Sequence, residues 1–168
     1  MAEKETVFSS KIKYAGIFSF RDFYKFCYDW VIEEIDISDF SENKYEEKIK
    51  GDSKDISVEW EGSKNLTDYF KFGIKVEFKV LALKNIEIAR GGAKINTNEG
   101  TVEMNVKGIL VRDYQGKFEM SAFKKFLRSI YEKWVIQSRI IEYEDKIAGQ
   151  CDEFLGQAKA WLDLEGKR

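Results

Sequence analysis

In the stretch DYFKFGIKVEFKVLAL, Phe70, Phe72, Ile74, Val76, Phe78 and Val80 alternate with Lys71, Gly73, Lys75, Glu77 and Lys79. A helix would scatter these apolar side chains around its circumference, whereas an extended strand puts them all on one face. The stretch therefore predicts a long antiparallel strand with one dry side and one wet side. The rest of the chain must supply a cover for that dry side. Gly73, on the wet side, predicts a bend or bulge.

The flanking segments read as further strands. Phe8, Ile12, Tyr14 and Phe18 mark one over residues 7–18. Tyr45 and Ile49 mark a weak one, and Ile56, Val58 and Trp60 another, separated by the turn signals GDSKD and EGSKN. Ile86 and Ile88 extend the long strand or begin a hairpin; RGG and NTNEG signal turns. Val102, Met104, Val106 and Leu110 mark the last strand, closed by DYQGK. Between the first strand and DISDFSEN, read as an acidic loop, lies FRDFYKFCYDW. It predicts an aromatic helix to about Ile35, with Ser19 as N-cap and Asp22 in the first turn.

From Ser121 to Leu164 there is no strong breaker. One helix of about 44 residues, roughly 65 Å long, is expected, with a bend placed at Gly149. The order is then β-α-β-β-β-β-α in an α+β domain spanning residues 1–168. A curved meander sheet packs on a short aromatic helix and the long C-terminal one. Helix-grip and cystatin-like folds share this element order loosely, an analogy that implies no function.

The long helix carries two apolar stripes. Phe123, Phe126, Leu127, Ile130, Tyr131 and Trp134 share one face, expected to lie on the sheet. Ile136, Ile140, Tyr143, Ile147, Cys151, Phe154, Ala158 and Trp161 form a heptad-like seam displaced by about 120°. One neighbour does not easily cover both. The seam is buried by a kink or by the aromatic helix, or it meets a protein partner, with residues 136–164 projecting as an association element. The polar face opposite the seam, with Lys125, Arg128, Glu132, Arg139 and Lys146, is only mildly basic, which argues against a membrane surface.

Composition narrows the chemistry. The 28 basic and 30 acidic side chains are nearly balanced, with no footprint for duplex nucleic acid. The phenylalanines of the long strand lie on the face opposite its lysines, so no single-strand stacking platform forms. There is no histidine, which removes the commonest general base and transition-metal ligand. Cys27 and Cys151 stand in no metal spacing and read as small buried hydrophobes. GGAK lacks phosphate-loop spacing, and the acids Asp36, Asp39, Glu42, Glu46 and Glu47 lack the EF-hand pattern. No metal or cofactor is expected. The start, MAEKETVF, has no apolar export segment, and no apolar run reaches membrane-spanning length. A reduced, cytoplasmic setting is expected.

Two functions fit this profile. The first is a non-enzymatic interaction or scaffold module that self-associates or docks a protein through Ile136, Ile140, Tyr143, Ile147, Phe154 and Trp161. The second is a carrier or sensor of a small apolar ligand, held between sheet and helices by Phe20, Phe23, Tyr24, Trp30, Phe72, Phe78 and Trp134.

Overall fold

The computed structural model describes residues 3–116, 122–135 and 137–167, apart from the side chains of Trp134, Val135 and Lys167. Five strands form one antiparallel sheet: β1 (Glu3–Phe18), β2 (Asp39–Lys50), β3 (Ser53–Asn65), β4 (Phe70–Arg90) and β5 (Ala93–Arg112). Their order is β1-β5-β4-β3-β2. β2 to β5 make a meander, and β1 closes it from the far side by pairing with β5. The alternation of β4 is realised as expected: Phe70, Phe72, Ile74, Val76, Phe78 and Val80 are all buried. They face Leu110, Met104 and Val102 on β5 and Val58 and Ile56 on β3 across the register.

The strands run longer than their apolar residues alone suggest. DISDFSEN is not all loop, because β2 begins at Asp39. EGSKN is strand, because Gly62 lets Ile37 and the Asp39 carbonyl sit against it. A Cβ there would lie 2.7 Å from Ile37 Cγ2 and 3.2 Å from Asp39 O. NTNEG is also strand, paired with the extension of β4; the reversal occurs at Gly91 and Gly92, with φ of 58° and 80°. Gly73 keeps regular register. The bulge of β4 falls instead between Leu81 and Lys84, where Ala82 has φ 53° and its amide donates to Asp55 Oδ1 at 3.0 Å. Such a bulge bends the strand and adds to the sheet's curvature. The edge strand β2 is lined by exposed charges, including Lys44, Glu46 and Lys48, which discourages pairing with another chain.

Helix α1 (Phe20–Asp29) starts where Ser19 Oγ accepts from the Asp22 amide at 3.4 Å. It continues into a wider π-helical turn, Trp30–Glu34, closed by the Ile35 amide on the Trp30 carbonyl at 3.0 Å. Phe20, Phe23, Cys27 and Val31 are its buried face. The C-terminal helical run is described in three stretches. Helix α2 (Ala122–Ile130) passes into a second π-helical turn, Tyr131–Val135, and helix α3 (Gln137–Lys167) has 31 residues. Gly149, where a bend was expected, lies inside unbroken helix.

Helix α3 packs over β1 and β5. Its buried residues are Ile147, Cys151, Phe154, Leu155, Ala158 and Leu162. Gly108 on β5 makes this approach possible: a Cβ there would lie 2.8 Å from both Cys151 Sγ and Ile147 Cγ2. The distal helix therefore does not project. It is the main lid of the sheet, and α1 covers the remainder.

Candidate functional site

Helix α2 is docked with its sides reversed. An amphipathic helix on a globular body normally turns its apolar stripe inward. Here the inward residues are Arg128 and Glu132. Arg128 Nη2 lies 2.7 Å from Glu3 Oε1, and Nη1 lies 3.6 Å from Asp113 Oδ2. Glu132 Oε2 lies 3.4 Å from Arg112 Nη1, and the Tyr69 hydroxyl donates to Glu132 Oε1. The Tyr131 ring meets Tyr69 edge-on at 5.8 Å. These partners stand together at one end of the sheet, where β1 starts, β5 ends and the chain enters β4.

The reversal has a physical cause. The dry face is already occupied by α3 and α1, so the surface left for α2 is the charged end of the strands. Arg128, Glu132 and Arg112 are largely withdrawn from water, and Asp113 is only 1% exposed. Charge-assisted bonds in such surroundings are stronger than on an open surface, and they hold the helix in one orientation. The apolar stripe then points outward. Phe123 is 67% exposed and Phe126 59%, and Leu127, Ile130 and Tyr131 are also exposed. The expectation that this stripe lies on the sheet is thus overturned.

Behind α2 runs a cleft of about 560 Å³ lined by Glu3, Glu5, Arg112, Arg128, Glu132 and Glu144, among others. Its guanidiniums and carboxylates are arranged as mutual partners; Arg112 Nη2, for instance, lies 3.3 Å from Glu5 Oε2. Glu144 is the strained member. Burial raises its pKa, the Glu5 carboxylate adds to the rise by charge and by hydrogen bonding, and Arg112 opposes it. A carboxyl whose folded pKa is raised favours folding in acid, and that contribution is lost as pH rises through the folded value. Glu144→Gln is therefore expected to raise the thermal midpoint at pH near 7 and to leave it unchanged near pH 4. Unfolding curves at the two pH values check this.

The residues expected to form a docking seam are placed differently. Ile147 and Phe154 have no exposed area, and Ile140, Tyr143 and Trp161 are half-buried against the same core. Trp161 lies 5.5 Å from the Phe23 ring and stacks on Phe26 at 6.0 Å. So the wide faces of α1 and α3 cover each other, and the seam is internal packing. Ile136 lies outside the described residues.

The expected cavity wall is packed as core. Phe23 meets Phe78 edge-on at 5.9 Å, Phe72 has no exposed area, and Phe20 is buried. Tyr24 stands against Trp60 at 5.1 Å, and its hydroxyl donates to Glu42 Oε1 at 2.5 Å. Burial, and then that carboxylate, push its pKa up to about 12. Trp30 packs beside Phe26 at 6.0 Å, and the Trp134 side chain lies outside the description. Phe23, Phe72 and Phe78 are thus packing partners in the core, whereas Phe20 and Tyr24 line an open pocket of about 420 Å³ together with Arg21, Glu42, Tyr45 and Lys54. Burial also pushes both thiols up, Cys27 far above its ordinary value and Cys151 to about 12, which leaves neither as a ready nucleophile.

The clamp residues Glu3, Arg112 and Asp113 carry no signal in the sequence. The segment that contains α2 does carry one: residues 122–135 hold four cations against one carboxylate, whereas residues 137–167 hold four against seven. Reading both as one helix averages that contrast away. No protein-family model, curated protein or solved structure matches the chain.

Proposed function

We propose that this chain is a non-enzymatic docking module whose contact surface is the outward face of α2. The observation that carries this reading is the reversed docking: ion pairs hold the helix so that Phe123, Phe126, Leu127, Ile130 and Tyr131 face water together. A contiguous apolar face on a water-exposed helix marks an association site. The seam of α3 is taken up by the core, so the interaction expected of the C-terminal helix moves to its proximal part. The proposed setting remains the cytoplasm.

Site-specific photocrosslinking tests this reading. Benzoylphenylalanine replaces Phe126 in one protein and Tyr45, exposed on the edge strand β2, in another. Irradiation in the cells that make the protein is expected to give adducts at position 126 well above those at 45. Equal yields at the two positions would overturn the proposal.

A further inference from the structure

We infer that the pocket between the start of α1 and the β2–β3 hairpin binds a small organic ammonium ion, with aromatic rings around the cation and Glu42 as its countercharge. The pocket has a volume of about 420 Å³ and is lined by Phe20 and Tyr24 of α1, Glu42 and Tyr45 of β2, and Arg21 and Lys54, among others. It shares no residue with α2, so it stands independently of the docking reading. Three observations point to that ligand.

First, three rings meet at the pocket at steep angles. Tyr24 and Tyr45 stand at 82° with centroids 6.3 Å apart, and Phe20 and Tyr24 at 55° and 6.1 Å. Tyr45 is 48% exposed, yet its hydroxyl is anchored on Glu47 Oε1 at 2.8 Å. The Tyr24 hydroxyl is anchored in the same way on Glu42. Both rings are therefore held in place before a ligand arrives. Such a corner of rings offers more than one negative face to a cation, the arrangement that recognises methylated ammonium groups.

Second, a carboxylate is held at the pocket with one oxygen free. Glu42 Oε1 accepts from the Tyr24 hydroxyl at 2.5 Å and from Trp60 Nε1 at 3.3 Å. Among the described residues Glu42 Oε2 accepts no hydrogen bond, and Glu42 forms no ion pair. Of the cations in the lining, Lys54 pairs with Glu47 Oε1 at 3.3 Å. Arg21 is exposed, where water weakens its repulsion.

Third, the donor set suits an organic cation rather than a metal ion. A hard metal ion takes about six or more oxygen ligands, and among the described residues no group of three acidic or cysteine side chains is placed to hold one. The remaining wall is made of amides already paired. The Phe20 amide donates to Asn98 Oδ1 at 3.1 Å, and Asn98 Nδ2 donates to Asn85 Oδ1 at 2.8 Å. These bonds tie the first turn of α1 to β4 and β5 and hold the aromatic wall against the sheet.

Calorimetric titration of the full chain tests this with choline and with its uncharged carbon analogue, in which a tert-butyl group replaces trimethylammonium. Choline is expected to bind with a dissociation constant on the order of 1 mM, and the analogue at least about tenfold more weakly. Glu42→Gln keeps an acceptor for Tyr24 and Trp60 but removes the charge, and should weaken choline at least about fivefold. Tyr45→Ala removes an exposed ring and should weaken it by about three- to tenfold. Arg21→Gln removes a like charge and should tighten it by up to about threefold. Thermal unfolding of each variant verifies that the fold persists. No binding of choline at about 20 mM, equal affinity for the two compounds, or unchanged affinity in Glu42→Gln overturns the inference. Such a failure leaves the crosslinking test of α2 untouched, and a free small molecule gives no protein adduct at position 45, so that control holds either way.

Discussion

Phe154→Ala is expected to lower the unfolding free energy by about 3–5 kcal/mol, while Phe126→Ala changes it by no more than about 0.5 kcal/mol. Both phenylalanines lie on the C-terminal helices, and both belong to clean apolar stripes. Their surroundings differ completely. Phe154 has no exposed area and sits within the cluster formed by α3 and the sheet. Its truncation leaves a void that close-packed neighbours fill only in part. Phe126 is 59% exposed, so its truncation gives up little buried area. For a chain of this size the loss at Phe154 corresponds to a fall of roughly 10 °C in the midpoint. Denaturant titration of the two variants with an unchanged slope is the check.

Arg128→Ala carries the second large effect, and it is expected to be local. The change withdraws the guanidinium that lies 3.6 Å from Asp113 and 2.7 Å from Glu3. Asp113 is almost fully buried, so its carboxylate loses a countercharge without gaining water. Removing one member of a buried pair costs roughly 3 kcal/mol. Helix α2 has no buried apolar residues of its own to offset that loss. It should therefore open before the core does. Amide exchange across residues 122–130 should become fast, while residues 147–162 keep their protection. Arg128→Lys, which keeps the charge but not the two-pronged geometry, should fall between. If exchange rises equally in both helices, the clamp is part of the global fold rather than the hold on α2.

The fold was legible where burial has a period. The alternation in β4 and the i, i+3, i+4 spacing of Ile147, Cys151, Phe154 and Ala158 each name one buried face, and both faces are buried. The stripe at Phe123 to Tyr131 has the same quality as a pattern, yet it is wet. Periodicity says which residues share a side; it does not say which side a neighbour occupies. That was decided by features without periodicity. Gly108 lets α3 approach β5 closely, and Glu3, Arg112 and Asp113 gather at the sheet's end from distant parts of the chain. The π-helical turn at Tyr131–Val135 also has no breaker residue to announce it. Strand ends differ from their composition for a related reason. Gly62 and the segment around Asn96 look like turns by composition, but their partners in the sheet hold them extended.

The central claim is that the two apolar stripes of the C-terminal helices have opposite fates. Hydroxyl-radical footprinting of the dilute protein reads this directly, because oxidation of a ring follows its contact with water. Strong labelling is expected at Phe123 and Phe126 and little at Phe154, Phe23 and Phe78. Protection of Phe123 and Phe126 together with labelling of Phe154 would contradict it, and would return the docking surface to the distal helix.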